Sequence, residues 1–145
     1  MTRLIASLAF VLALVATSSP AFAQKSGGVR IEFQGPGGHS FGAYGRVSAL
    51  HAAARTMILL QKALPAGSYQ ITNMTGGNSV NAIASDGLIE LKLTAANAKA
   101  YDALVAAVKK AADDGAGEEN AFRGVKAGDL TAGAPATVRA KVTPL

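Results

Sequence analysis

The chain has 145 residues, and its 14 lysines and arginines against 9 acidic residues give a formal net charge of +5. It contains no cysteine, which excludes disulfides and thiolate metal sites and leaves the packed core to hold the fold. The basic residues are scattered, with Lys109 and Lys110 the one adjacent pair, whereas a nucleic-acid interface needs a clustered basic patch. Length and charge therefore favour one globular domain without a nucleic-acid partner.

The first 23 residues have the pattern of a secretory signal. Arg3 supplies the positive start, residues 4–16 are apolar, and Ala21-Phe22-Ala23 matches the small-x-small cleavage motif. The apolar run is shorter than the roughly 18 to 20 residues that cross a bilayer. We therefore expect cleavage before Gln24, export to the periplasm or the medium, and no membrane association of the remaining 122 residues (145 minus 23). An uncleaved membrane anchor is the alternative.

Six segments beyond the signal have the hydrophobic period of a strand or a helix. In chain order these are a strand over 29–33, a helix over 45–64, strands over 69–74 and 88–94, a helix that Asn97 caps and that frays over 113–119, and a strand over 137–142. In the first helix we expect one apolar face to cover the sheet. That face consists of Val47, Leu50, Ala54, Met57 and Ile58.

This β-α-β-β-α-β order is typical of a ferredoxin-like two-layer sandwich. The sequence therefore predicts an α+β fold, with a four-stranded antiparallel sheet and two helices on one of its faces. The other face is left to solvent or to a partner. We expect residues 24–145 to form one domain, in which the structure of the tail at 124–145 stays undecided.

Two glycine-rich loops hold most of the unusual polar residues. Residues 35–45 read GPGGHSFGAYG after the first strand, and residues 76–83 read GGNSVNAI after the second. Neither loop has the spacing of the G-x-G-x-x-G or G-x-x-x-x-G-K-[ST] phosphate motifs. The third strand also lacks the aromatic residues on which RNA-recognition modules stack bases. Nucleotide and RNA binding are therefore disfavoured.

Three residues of these loops, His39, Asn78 and Asn81, are the candidate binding residues. The imidazole of His39 can face a ligand carbonyl or oxyanion, or it can hydrogen-bond its own loop. Asn78 and Asn81 can hold a ligand carboxylate, or they can serve turn geometry. His51 lies inside the first helix as an ordinary surface residue. Because two histidines without a nearby carboxylate at ligand spacing make no metal site, we expect neither a metal nor a cofactor.

Taken together, the two loops resemble motifs of the lid, or dimerisation, domain of the M20 zinc peptidases. Residues 35–45 are similar to the motif that opens the first helix of the lid, and residues 76–83 are similar to its Gly-Gly-Thr-Ser-Val-Asn-x-Ile loop. The resemblance covers about residues 28–123. It implies a domain that pairs across a two-fold axis, often by edge strands and the first helix. In that family two metal ions, usually zinc, lie in a separate catalytic domain.

The resemblance also implies roles for two residues. The histidine that matches His39 reaches into the partner's active site and helps stabilise the oxyanion, and the asparagine that matches Asn81 helps hold substrate near the metals. Two positions depart from the family: Asn78 replaces the usual threonine, and Thr94 stands where many members have an arginine. The metal ligands and the general base of the family belong to the catalytic domain. We therefore expect no catalysis by this chain alone.

These observations predict an exported lid-like domain that forms a homodimer, with residues 69–74 as the pairing strand. Three alternatives stay open. The chain can be an accessory subunit that supplies His39 in trans to an M20 metallopeptidase. It can bind a small peptide or carboxylate through His39, Asn78 and Asn81. It can also be a gene remnant without a selected role.

Overall fold

A computed structural model describes residues 24–145, and the predicted secretory signal lies outside this part of the chain. In chain order the elements are β1 (Lys25–Gln34), β2 (Gly38–His39), α1 (Ala49–Ala63), β3 (Tyr69–Gly76), β4 (Ala82–Ile83), β5 (Asp86–Ala95), α2 (Ala98–Phe122), β6 (Leu130–Thr131), β7 (Ala134–Pro135) and β8 (Arg139–Pro144). Among these residues, no helix has both the length and the apolar character needed to cross a membrane.

The main sheet has four strands in the order β3-β5-β1-β8. Each neighbouring pair is antiparallel. α1 connects β1 to β3, and α2 connects β5 to β8, so the sheet consists of two interleaved β-α-β units. This arrangement confirms the predicted α+β, ferredoxin-like β-α-β-β-α-β fold.

The core lies between this sheet and the two helices. The central strands β1 and β5 bury every second residue against the helices, as the alternating sequence predicts. The buried side chains of these strands include Val29, Ile31, Phe33, Ile89, Leu91 and Leu93. The opposite face of the sheet carries polar and charged residues such as Glu32, Lys92 and Lys141. One face of the sheet is therefore packed and the other is open.

The face of α1 that covers the sheet is only partly the predicted one, since Val47 is buried in the core and Met57 packs against it. The buried residues of α1 are Ala49, Ala52, Ala53, Thr56 and Leu60. Ala54 is exposed, and Ile58 is 54% exposed, so the prediction that they face the sheet is wrong. The small side chains let the helix approach the sheet closely, whereas Ala54 and Ile58 lie on an exposed flank of the helix.

α2 is longer than predicted, because it continues through residues 113–119 to Phe122. Gly115 and Gly117, which predict a frayed end, both lie inside the helix. A Cβ atom at Gly115 would lie 2.9 Å from the backbone nitrogen of Thr56 and closer still to its hydroxyl. α2 therefore crosses α1 at a distance that only glycine permits.

The tail, which the sequence left undecided, enters the sheet. β6 and β7 form a short hairpin, and β8 then pairs with β1 at the edge opposite β3. The side chain of Asn120 accepts a hydrogen bond from the Val138 nitrogen at 2.8 Å and donates to the Val138 oxygen at 2.9 Å. These bonds hold the tail to the end of α2 just before β8 begins.

The open face has an ion pair at its centre. Arg30 donates to Glu90 Oε1 from Nη2 at 2.6 Å and from Nε at 2.9 Å, and Asn73 donates to Oε2 at 3.4 Å. The hydrogen bond from Arg30 holds the pKa of the Glu90 carboxyl below its ordinary value. The folded pKa is thus lower than the unfolded one. The resulting stabilisation is complete above the unfolded pKa and is lost as the pH falls through the folded pKa.

We expect the free energy of unfolding of Glu90→Gln to fall less at acid pH than that of wild type. The difference in unfolding free energy between wild type and variant should be larger at about pH 6 than at about pH 3, as linkage requires for a carboxyl with a lowered pKa. Urea denaturation at both pH values measures it, and Arg30→Gln should reproduce the change. Equal pH dependence of wild type and Glu90→Gln would contradict this role of the pair.

Candidate functional site

The two glycine-rich loops meet in a short two-stranded ribbon. β2 pairs antiparallel with β4, with Gly38 opposite Ile83 and His39 opposite Ala82. The Ser40 nitrogen extends the ribbon by donating to the backbone oxygen of Asn81 at 2.8 Å. The loops, which are about thirty residues apart in the sequence, therefore form one structural unit.

Gly37 and Gly38 allow this close approach. Both have positive φ, at +64° and +139°. A Cβ atom at Gly37 would lie 2.7 Å from Ser85 Cβ, and one at Gly38 would lie 2.6 Å from Ala43 Cβ. Because a side chain at either position would strain the backbone and collide with a neighbour, the ribbon requires glycine there.

His39 and Asn81, two of the three predicted binding residues, are in contact. Nε2 of His39 lies 3.2 Å from the side-chain amide of Asn81, and Nδ1 accepts a hydrogen bond from the Phe41 nitrogen at 3.2 Å. A neutral imidazole carries one N–H, and which ring nitrogen holds it depends on the tautomer. The Asn81 atom beside Nε2 is the amide nitrogen Nδ2, whereas Oδ1 accepts from the Ser79 hydroxyl.

This geometry places the imidazole of His39 at the surface of the protein. His39 and Asn81 are both exposed. A ligand carbonyl or oxyanion that displaced the Asn81 amide could accept a hydrogen bond from an imidazole N–H at Nε2, which is the chemistry of an oxyanion-stabilising donor. The ribbon also carries three large apolar side chains that are almost fully exposed: Phe41, Tyr44 and Val80. Large apolar side chains left this exposed are typical of a surface that contacts another molecule.

Asn78, the third predicted binding residue, lies in a different place. It lines a cleft of about 490 Å³ between the second glycine-rich loop and the start of α1, and His39 does not line it. Arg46, His51 and Arg123 line the same cleft. The structure therefore groups Asn78 with basic side chains and separates it from the contact between His39 and Asn81.

A buried carboxylate lies behind this cleft. Glu119 of α2 is fully buried. Its Oε1 accepts from the Ser48 nitrogen at 3.1 Å and from Arg123 Nε at 3.3 Å, and its Oε2 accepts from Arg55 Nε at 3.1 Å. His51 Nδ1 lies 3.7 Å from Oε1. Glu119 thus fixes the first turn of α1 against the last turns of α2.

The sequence reasoning missed Arg46, Arg123 and Glu119. One signal was available for Glu119, which stands four residues before Arg123, a spacing at which helical side chains meet. Nothing in the spacing connects either residue to Arg46 or Ser48. The cleft is a product of the tertiary fold.

A second candidate surface lies along β3, at the free edge of the main sheet. Leu50, Ala54 and Ile58 follow one another at four-residue intervals on α1, and Leu50 Cδ1 lies 3.1 Å from the Cβ position of Gly76 in β3. Met74 of β3 is 39% exposed. We call β3 together with Leu50, Ala54, Ile58 and Met74 the edge surface. It combines unpaired strand backbone with an apolar strip.

Within residues 24–145, no three histidine or acidic side chains stand close enough together to hold a metal ion.

The fold and the edge surface together define an α+β pairing module. The model of the peptidase dimerisation domain of the M20 family matches residues 23–120, and the chain belongs to this family. The match confirms the resemblance carried by the two glycine-rich loops. It ends before β8, so the last strand of the sheet lies beyond it.

Solved structures with the same fold include three enzymes. A tripeptidase from Staphylococcus aureus aligns with a TM-score of 0.63 at 16% identity, over 84% of this chain and 29% of that one. An aminobenzoyl-glutamate utilization protein from Klebsiella pneumoniae aligns with a TM-score of 0.61 at 15% identity, over 88% and 32%. A hydantoinase/carbamoylase family amidase from Burkholderia ambifaria aligns with a TM-score of 0.61 at 18% identity, over 86% and 28%.

At these identities the likeness shows the fold alone. The chain spans less than a third of the length of each of the three enzymes. No curated protein matches it. The chain is therefore a peptidase-family dimerisation domain, and the activities named for the three enzymes belong to those proteins.

Proposed function

We propose that this chain is an exported dimerisation module that pairs with a second copy of itself through the edge surface. The observation that carries this proposal is an unpaired strand flanked by apolar side chains. β3 ends the sheet on one side, and Ile58 and Met74 remain 54% and 39% exposed beside it. Exposed edges of this kind template further strand pairing, and soluble proteins rarely leave them uncovered.

A two-fold axis beside β3 satisfies both parts of the edge surface. Antiparallel pairing of β3 with its copy gives the free N–H and C=O groups of the edge partners, and extends two four-stranded sheets into one of eight strands. The same rotation brings the apolar flank of α1 against its copy, where burial contributes about 25 cal/mol for each Å² of apolar surface. Such an interface is isologous, with one surface used by both partners.

The first test is the native mass of residues 24–145 by light scattering at micromolar concentration. We expect twice the mass of one chain. A folded monomer at these concentrations would contradict self-association, and an unfolded chain would favour the remnant alternative.

Thr72→Pro should separate pairing from folding. The register between β3 and β5 shifts between Ile71 and Asn73, so Thr72 is the residue at the bulge. Proline is tolerated at bulges of edge strands but obstructs the approach of a further strand. We therefore expect a folded monomer by light scattering and circular dichroism, and Thr72→Ala, the matched control, should remain a dimer.

Ile58→Lys tests the helical half of the same surface, because it places a charge where two apolar flanks would meet. It should weaken the dimer without unfolding the chain, since Ile58 lies outside the core. If both Thr72→Pro and Ile58→Lys remain dimers, the interface lies elsewhere.

Export rests on the pattern of residues 1–23, with its positive start, apolar stretch and small-x-small site. Expression of the full chain in a bacterium, followed by fractionation and intact mass measurement, tests it. We expect a periplasmic or secreted product that begins at Gln24. A cytoplasmic product that still carries residues 1–23 would contradict export.

A second candidate function is pairing with a peptidase subunit, to which the chain supplies His39 in trans. The exposed imidazole of His39 on the ribbon supports it, since an imidazole N–H suits an oxyanion. The test adds the domain to an M20 peptidase that lacks its own dimerisation domain and measures turnover. Stimulation by wild type but not by His39→Ala is the expected result, and equal turnover with both would exclude the role.

A further alternative is a module that binds a small peptide through His39 and Asn81. Calorimetry with dipeptides and wild-type protein, compared with His39→Ala and Asn81→Ala, tests it. Heat of binding that either variant abolishes would favour this alternative, and no heat with wild type would exclude it.

A further inference from the structure

We propose that the cleft between the second glycine-rich loop and the start of α1 binds an organic anion, a carboxylate carried on a short branched apolar chain. This binding goes beyond self-association, although Leu50 belongs both to the cleft and to the edge surface. The site is separate from the contact between His39 and Asn81. The charge, the hydrogen bonding and the apolar wall of the cleft support this assignment.

The charge of the cleft is one-sided. Three basic residues line it, Arg46, His51 and Arg123, and no acidic residue does. The nearest carboxylate is the buried Glu119, which is engaged by Arg55 and Arg123. Arg46, Arg55 and Arg123 carry three positive charges in and behind the cleft, and Glu119 carries one negative charge. With His51 neutral, the net charge of this group is +2. A positive concave surface concentrates anions.

Arg46 provides the specific donor. Within residues 24–145 its guanidinium makes no ion pair, and its one side-chain hydrogen bond goes from Nη1 to the Gly37 oxygen at 3.2 Å. That bond holds the group on the first glycine-rich loop. A guanidinium has five N–H donors, and its planar fork matches a carboxylate. Most of its hydrogen-bonding capacity therefore remains for a ligand.

The backbone nitrogens of Ser48, Ala49 and His51 at the start of α1 are already engaged and are not the source of this site. The Ser48 nitrogen donates to Glu119 at 3.1 Å, and the Ser48 hydroxyl accepts from the His51 nitrogen at 3.4 Å. Arg123 in turn uses its Nε for Glu119. An incoming anion thus meets Arg46 as its main partner, with Asn78 and Ser79 at the rim of the cleft.

The other wall of the cleft is apolar. Leu50, Val80 and Ile83 line it, and Val80 is fully exposed. The volume of about 490 Å³ lies within the usual range of small-molecule sites. A ligand that contacts both the basic and the apolar wall needs an anionic head and a short apolar body. An inorganic anion lacks the apolar body. The same features exclude a strongly cationic ligand.

The first test titrates the protein with 4-methylpentanoate and follows backbone and arginine side-chain NMR signals. We expect saturable shifts at residues 76–80 and at Arg46, with a Kd of about 1 mM, as befits a ligand of this size. The neutral amide, 4-methylpentanamide, should bind at least about tenfold more weakly, because it lacks the charge that Arg46 pairs. Equal binding of acid and amide would overturn the proposal without any variant.

Titration with inorganic phosphate distinguishes a site for an organic carboxylate from a site for any anion. Phosphate should shift the same signals more weakly than the organic acid at equal concentration, because it cannot use the apolar wall. Shifts as large as those with 4-methylpentanoate would overturn the assignment of an organic carboxylate. Saturable shifts confined to residues outside the cleft would overturn the site itself.

Arg46→Gln should weaken binding of 4-methylpentanoate at least about tenfold, and Arg46→Lys should give an intermediate loss because it keeps the charge but not the fork. Lys62→Gln is the matched control. It removes one positive charge from an exposed position at the far end of α1, and its affinity should equal that of wild type. Wild-type affinity in Arg46→Gln would contradict the role of this guanidinium.

Discussion

Glu119→Gln is expected to lower the free energy of unfolding by about 2–3 kcal/mol, the scale of buried hydrogen bonds to charged groups. Glutamine has nearly the same shape, but it cannot balance two arginines, and it can accept through only one of its two terminal atoms. Glu119 is fully buried, and its oxygens accept from Ser48, Arg55 and Arg123.

The size of this effect depends on what the arginines do next. Removing one partner of a fully buried pair costs about 3–5 kcal/mol, because the other charge is left without water. Here the side chains of Arg55 and Arg123 are 31% and 24% exposed, so each can turn toward solvent. We therefore expect a cost below that range. The Ser48 nitrogen is buried and cannot turn toward solvent in this way.

Urea denaturation of wild type, Glu119→Gln and Glu118→Gln measures the effect. Glu118 is exposed on the same turn of α2, so its variant carries the same chemical change without the buried contacts. Surface substitutions of this kind usually stay within about 0.5 kcal/mol. Equal stability of the two variants would show that the buried network adds nothing to the fold.

The strands of the core could be predicted because their pattern is local. In β1 and β5 every second residue is apolar, and this alternation specifies both the strand and the face that it buries. The α1 helix could be predicted for the same reason, but its buried face could not. Three alanines, Thr56 and Leu60 form that face, whereas the large apolar side chains of Leu50 and Ile58 mark the flank beside β3. The size of an apolar side chain therefore does not identify the buried face of this helix.

In the candidate sites, too, local composition could be predicted from the sequence, whereas contacts between distant segments could not. The glycine-rich loops and their His39 and Asn81 are visible in the sequence because their composition is unusual. Their contact depends on pairing between β2 and β4, which no local pattern specifies. The Glu119 network behind the cleft was missed because its parts are distant in the chain: 71 residues separate Ser48 from Glu119, and 64 separate Arg55 from it. Long-range pairs of this kind leave no periodic signal.

Gly115 and Gly117 differ in their structural role, although both lie in α2. Glycine near the end of an apolar pattern commonly marks a helix terminus. Both Gly115 and Gly117 instead lie inside α2, and their surroundings differ. A Cβ at Gly115 meets the backbone of Thr56 at 2.9 and 3.0 Å, whereas a Cβ at Gly117 meets nothing within 4 Å. Close packing of the helices therefore explains Gly115, and no structural requirement explains Gly117.

Alanine at these two positions should change stability in opposite directions. Gly117→Ala should raise the free energy of unfolding by about 0.5–1 kcal/mol, since alanine loses less backbone entropy in a helix. Gly115→Ala gains the same entropy but must push α1 and α2 apart, and overpacking of a core costs about 1–3 kcal/mol. The collision is with backbone, which cannot rotate away, so we expect the overpacking cost to exceed the gain.

Urea denaturation of both variants checks this pair, with each serving as the control of the other. The expected order of stability is Gly117→Ala above wild type and wild type above Gly115→Ala. A Gly115→Ala protein as stable as Gly117→Ala would mean that α1 and α2 can separate freely at their crossing. The network at Glu119, which lies one turn further along α2 and depends on the same approach of the helices, would then have room to rearrange as well.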